Sequence, residues 1–165
     1  MNDKINEFMI WAEENGWTIT KNEDHQLHLA GSLLSRYKEI PNDYLEFLSV
    51  VKRCITPDEK SWFLCEDEYN NRSDTEFKWN EFEMLSLEAA MGDELWKSEI
   101  TAWWDSYLPI VISVDGGYSF YAIDLTNDVG AIVRGYEPEF EEVEKASHNL
   151  EGFLELIMSK TIEFQ

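Results

Sequence analysis

From Leu108 to Leu125 the chain alternates with a period of two. Ile110, Ile112 and Val114 interleave with Val111, Ser113 and Asp115, and Tyr118, Phe120, Ala122 and Asp124 with Ser119, Tyr121, Ile123 and Leu125. That period belongs to strands. Asp115-Gly116-Gly117 between the two runs supplies the positive φ angles of a tight hairpin turn. β-Branched and aromatic residues occupy both faces, so the hairpin is expected at the centre of a sheet, covered on at least one side.

Elsewhere the period shifts between helix and strand. Residues 2–15 place Ile5, Phe8, Met9 and Ala12 on one helical face, capped by Asn2 or Asp3 and ended by Asn15-Gly16. Residues 17–20 and 25–29 read as a short hairpin, and residues 31–40 as a short helix carrying Leu33, Leu34 and Tyr37. Ile40-Pro41-Asn42-Asp43 opens a helix with Asn42 as its cap; it is expected to run to Lys52, with Lys52 and Arg53 at its electronegative end. Residues 61–65 predict a strand, 66–74 a loop, and 79–91 partly helical sequence. A helix over 94–107 carries Leu95, Trp96, Ile100, Trp103 and Trp104. A turn over Thr126–Gly130 and a strand over 131–136 follow the hairpin. The last helix, over 147–160, starts at Ser147 and carries Leu150, Phe153, Leu154, Ile157 and Met158. Helices interspersed with antiparallel strand pairs predict an α+β fold: one domain over 1–165, a twisted, mostly antiparallel sheet with flanking helices.

Composition narrows the function. Hydrophobic residues are 44% of the chain, with seven Trp, seven Tyr and nine Phe, enough for a real core. Lys and Arg number 13 against 34 Asp and Glu, a net charge of −21. Such a field repels nucleic acid and anionic membrane surfaces and draws in basic partners. Cys54 and Cys65 form no metal or redox motif, and no leader or apolar span is evident, so a cytoplasmic protein with reduced thiols is expected. His25 and His28 lack a third ligand nearby, no serine sits in a nucleophile-elbow pattern, and Gly116-Gly117 lacks the flanking pattern of a phosphate loop. Asp124, Asn127 and Asp128 offer at best weak calcium ligands. No carboxylate pair is singled out for acid–base chemistry, so neither catalysis nor a cofactor is expected.

The ordered series Ile40-Pro41-Asn42-Asp43-Tyr44-Leu45-Glu46-Phe47-Leu48, Trp103-Trp104-Asp105, Leu108-Pro109-Ile110, Gly117-Tyr118 and Gly135-Tyr136-Glu137-Pro138-Glu139-Phe140-Glu141-Glu142 resembles the SUKH superfamily over about residues 30–160. Val51-Lys52-Arg53-Cys54 departs from it where many members have an Asn-Gly-Gly-type turn. The resemblance implies a compact α+β domain without catalytic activity. For bacterial members it implies an immunity protein that binds and neutralises a polymorphic toxin, often a nuclease; the alternative is an intracellular scaffold or regulator like the fungal cell-wall regulators.

On that reading the partner is a basic toxin domain, and two stretches are candidates to meet it. Glu137, Glu139, Glu141, Glu142 and Glu144 put five carboxylates in eight residues. Residues 58–99 carry 13 acids against Lys60, Arg72, Lys78 and Lys97. Within them Glu66, Asp67, Glu68, Tyr69 and Trp79 are the candidate contacts, with Tyr69 and Trp79 expected at the surface and Trp62 and Trp96 in the core. The competing reading of both stretches is a solvated charged face.

Overall fold

The computed structural model describes residues 3–73 and 77–164. One sheet runs in chain order through β1 (Thr18–Lys21), β2 (Val51–Ile55), β3 (Ser61–Phe63), β4 (Tyr107–Ser113), β5 (Ser119–Asp124), β6 (Ile132–Tyr136) and β7 (Glu144–Ser147). Every neighbouring pair is antiparallel. The helices are α1 (Asp3–Glu14), α2 (Gly31–Arg36), α3 (Asn42–Val50), α4 (Glu66–Tyr69), α5 (Glu81–Ala89), α6 (Glu94–Asp105) and α7 (Leu150–Met158). The predicted α+β class is therefore the observed one.

β4 is the middle strand, and both it and β5 are buried along their whole length. Helices cover both faces. Successive strand residues point to opposite sides, so the neighbours Phe120 and Tyr121 report the two layers. Tyr121 meets Phe153 of α7 at 4.8 Å; Phe63, on the same side, meets Phe8 of α1 at 5.8 Å and Phe47 of α3 at 4.9 Å. Phe120 instead meets Trp104 of α6 at 5.0 Å and Phe82 of α5 at 6.0 Å. Arg36 ties the α5–α6 hairpin to α2: its guanidinium donates two bonds of 2.8 Å to Glu83 and one of 2.7 Å to Asp105. Glu83 is buried, and the forked geometry supplies it with two donors from a fixed direction.

The structure corrects several expectations. β1 pairs with β2, Thr18 opposite Ile55, and residues 25–29 form no strand. That stretch is pinned by side chains: Glu66 accepts the His28 N–H at 2.6 Å, and Asn70 bonds the His28 carbonyl and the Ala30 N–H. α3 stops at Val50, because Val51 turns extended and starts β2; Lys52 and Arg53 are exposed strand residues. Two consecutive valines suit that switch, since β-branched side chains favour strand over helix. The departure from the SUKH pattern at residues 51–54 is thus a strand. Asn42 lies inside α3, and Pro41 takes the cap position without a side-chain bond. Pro109 sits within β4 beside a register shift, which accommodates its missing N–H. β7 was not expected, and α7 is capped by Asn149, whose side chain accepts the Gly152 N–H at 2.8 Å; Ser147 is the last residue of β7. The Asn2 cap and Asp74 of the expected loop lie outside the described residues.

Candidate functional site

The connection from β6 to β7, residues 137–143, holds most of the first candidate set, and it is anchored at three points. Glu137 is tied to the β4–β5 turn: its Oε1 accepts the Tyr118 N–H at 3.0 Å, while its own N–H donates to the Tyr118 carbonyl at 2.9 Å. Phe140 is buried and stacks on Phe82 at 4.6 Å, the planes 6° apart. Glu141 Oε2 accepts the Ser86 hydroxyl at 2.7 Å and the Trp104 indole N–H at 2.8 Å. The connection is thereby fixed to α5, α6 and the central hairpin.

What stays outward is a smaller set than the run of charges suggests. Glu139, Glu142 and Glu144 are exposed, as is Glu137 beside its backbone partner. The Glu142 N–H donates to the Glu139 carbonyl at 3.0 Å in a tight turn. Their carboxyl groups interact closely: hydrogen bonding to Glu139 raises Glu142 above the usual 4.5. Glu144 begins β7 opposite Arg134.

Glu141 is half-buried, and its Oε2 serves the fold by satisfying a buried indole. Glu141→Ala leaves the Trp104 N–H without an acceptor, and about 2 kcal/mol of stability should be lost. Glu141→Gln keeps an oxygen in place and should recover most of it. Urea unfolding of the two variants measures the difference; equal loss in both would show that the carboxylate charge, not its acceptor, holds the loop.

The second candidate set is largely structural, against expectation. Glu66 spends one oxygen on the His28 N–H, and Arg72 stands 3.5 Å from Glu66 and 3.7 Å from Asp67. Glu68 caps its own helix: its Oε1 accepts the Cys65 N–H at 2.8 Å. Burial raises the Glu68 carboxyl above its usual 4.5. Tyr69, expected at the surface, is buried, and its hydroxyl meets that of Tyr44 at 2.8 Å and donates to the Pro109 carbonyl. Trp79 is half-buried, packed edge-on against Tyr37 at 6.1 Å and tilted against Tyr69 at 5.9 Å. Trp96, expected in the core, is 46% exposed. Periodicity marks which residues share a face; it does not say which turns of a helix have anything to cover them.

Other chemistry is closed off by the same packing. Asp124, a weak calcium candidate, is buried and its two oxygens accept the N–H groups of Thr126, Asn127 and Asp128 at 3.0, 3.0 and 3.1 Å. Cys54 and Cys65 are buried free thiols, and burial pushes both well above 9.0, which keeps them from acting as thiolates. Among the described residues no group of three or more His, Cys, Asp or Glu is placed to hold a metal ion, and no helix is long and apolar enough to cross a membrane. Set against family models, curated proteins and solved structures, the chain matches none.

Proposed function

We propose that this protein is a non-catalytic binding module that neutralises a basic partner protein by occlusion. The role implied by the sequence resemblance is that of an immunity protein against a toxin. The observation that carries the reading is the anchored β6–β7 connection: its backbone is fixed by Glu137, Phe140 and Glu141, while Glu139 and Glu142 are exposed. Charges preordered in this way need little further ordering on binding, so more of the interaction appears as affinity. The net charge of −21 adds long-range attraction for a cationic surface.

The test is co-expression with the product of the adjacent open reading frame, followed by association kinetics on any pair that forms. The native protein should restore growth. Association should slow by about two orders of magnitude between low and high salt. Glu139→Lys with Glu142→Lys should abolish protection while leaving the fold intact, because both side chains are exposed. Full protection by that double variant, or salt-independent association, would remove the connection from the binding surface.

A further inference from the structure

The α5–α6 hairpin ends in an apolar surface that the fold does not use. Every residue from 91 to 96 is exposed. Met91 is 75%, Leu95 73% and Trp96 46% exposed, and Met84 on α5 is 50% exposed. Met91, Leu95 and Trp96 put three large exposed apolar side chains within six residues of the α5–α6 turn, which is unusual on a soluble surface, and Trp is the residue type that most often anchors an interface. The tip is firmly built. Asp93 Oδ1 accepts the Trp96 N–H at 3.1 Å as the cap of α6, the Asp93 N–H donates to the Ala90 carbonyl at 3.0 Å, and Ala90 is buried. The Arg36 bonds to Glu83 and Asp105 hold both helices to α2.

The rim selects the occupant. Glu88, Asp93, Glu94 and Glu99 are exposed around these apolar residues in the chain. Lys97, the sole base from Glu81 to Asp105, already lies 3.9 Å from Glu94. A second copy would bring one acidic rim against another, and an anionic lipid surface would be repelled in the same way. The complement is apolar in the middle and cationic at the edges.

We propose that the tip of the α5–α6 hairpin docks a short amphipathic segment of a partner protein, aliphatic side chains on Trp96, Leu95 and Met91 and Lys or Arg side chains on the surrounding carboxylates. This deepens the protein-binding reading and rests on it. It adds contacts on residues other than Glu139 and Glu142, where contact is apolar rather than purely electrostatic.

The probe is a capped synthetic Leu/Lys peptide with helical amphipathic spacing, compared with its Leu/Glu counterpart in 150 mM salt. Binding is followed on methyl-labelled methionines and on the tryptophan indole N–H signals, with Trp96→Phe used to assign Trp96. The Leu/Lys peptide should move the Met84, Met91 and Trp96 signals, and the Leu/Glu peptide should move none. Leu95→Ser with Trp96→Ser should weaken the Leu/Lys peptide at least tenfold without lowering the unfolding temperature, whereas Glu139→Lys with Glu142→Lys should change it less than threefold. The placement is overturned if the Leu95→Ser, Trp96→Ser variant binds the peptide as the native protein does. Sedimentation showing an oligomer that Trp96→Ser dissolves would assign the surface to a second copy, and pelleting with phosphatidylglycerol vesicles would assign it to lipid. Failure of the broader reading looks different: the native protein would then bind no basic probe at either set of residues.

Discussion

Gly135→Ala should destabilise the protein by about 3 kcal/mol, the upper end of what overpacking a core costs. A Cβ at this position of β6 would stand 2.6 Å from Cε1 and Cζ of Phe120 and 2.8 Å from the carbonyl oxygen of Phe140. Neither neighbour yields easily. Phe120 is fully buried among Trp104, Phe82 and Phe140, and the Phe140 contact is backbone. Relief therefore has to come from displacing Phe140 off Phe82, which carries the β6–β7 connection outward. Two readouts should move together: a lower urea midpoint and faster amide exchange over residues 137–142. Gly31→Ala is the control, since a Cβ there meets nothing within 4 Å and should stabilise α2 by about 0.5–1 kcal/mol. If Gly135→Ala unfolded at the native urea concentration, the aromatic layer would not press on β6 as closely as these distances require. If it lost stability with exchange over 137–142 unchanged, Phe140 would not be what fixes the candidate binding surface.

That coupling between core and surface explains what the sequence could and could not reveal. The central hairpin was legible because its strands carry β-branched and aromatic residues on both faces, and both strands are buried throughout. α1 and α7 were legible for a similar reason: one face of each packs on the sheet, and Ile5, Phe8, Phe153 and Leu154 recur at helical spacing. Partner choice was not legible. β1 pairs across 30 residues with β2, while Leu27 and Leu29, which alternate as a strand would, rest against the core under side chains of α4 and its C-cap. The same limit applied to the candidate site. Glu141 and Glu139 are equivalent as sequence, yet one satisfies an indole and the other faces water. Tyr69 lies in an acidic, irregular stretch, which suggests exposure, but its hydroxyl completes a network with Tyr44. The exposed apolar tip carried a readable signal in Met91, Leu95 and Trp96 set among acids, masked because the same helix also supplies Ile100 and Trp104 to the core.

The second large effect is loss of stability at alkaline pH. Tyr37, Tyr44, Tyr69, Cys54 and Cys65 are all buried, and burial raises each of them well above its ordinary value of 10.0 for the phenols or 9.0 for the thiols. In the unfolded chain these groups ionise at their ordinary values. The sign follows: above pH 9 the folded state holds protons that the unfolded state has released, so stability is full below that pH and falls as pH rises. Each group contributes about 1.4 kcal/mol per pH unit once its unfolded form is ionised. The thiols act from about pH 9 and the phenols from about pH 10, so the loss of stability steepens as pH rises. Tyr69→Phe separates this linkage from general alkaline damage. Tyr44 donates to the Leu64 carbonyl at 2.7 Å and Tyr69 to the Pro109 carbonyl, so the two hydroxyls share two protons among three close contacts. Removing the Tyr69 hydroxyl should cost about 1–2 kcal/mol at pH 7, because the Pro109 carbonyl loses its donor. It also removes one titrating group, so stability above pH 10 should fall less steeply by about 1.4 kcal/mol per pH unit. The native and Tyr69→Phe curves should therefore converge and meet at about pH 11. Parallel curves across pH 9–11 would mean that Tyr69 ionises within the folded protein and that its burial does not hold the proton.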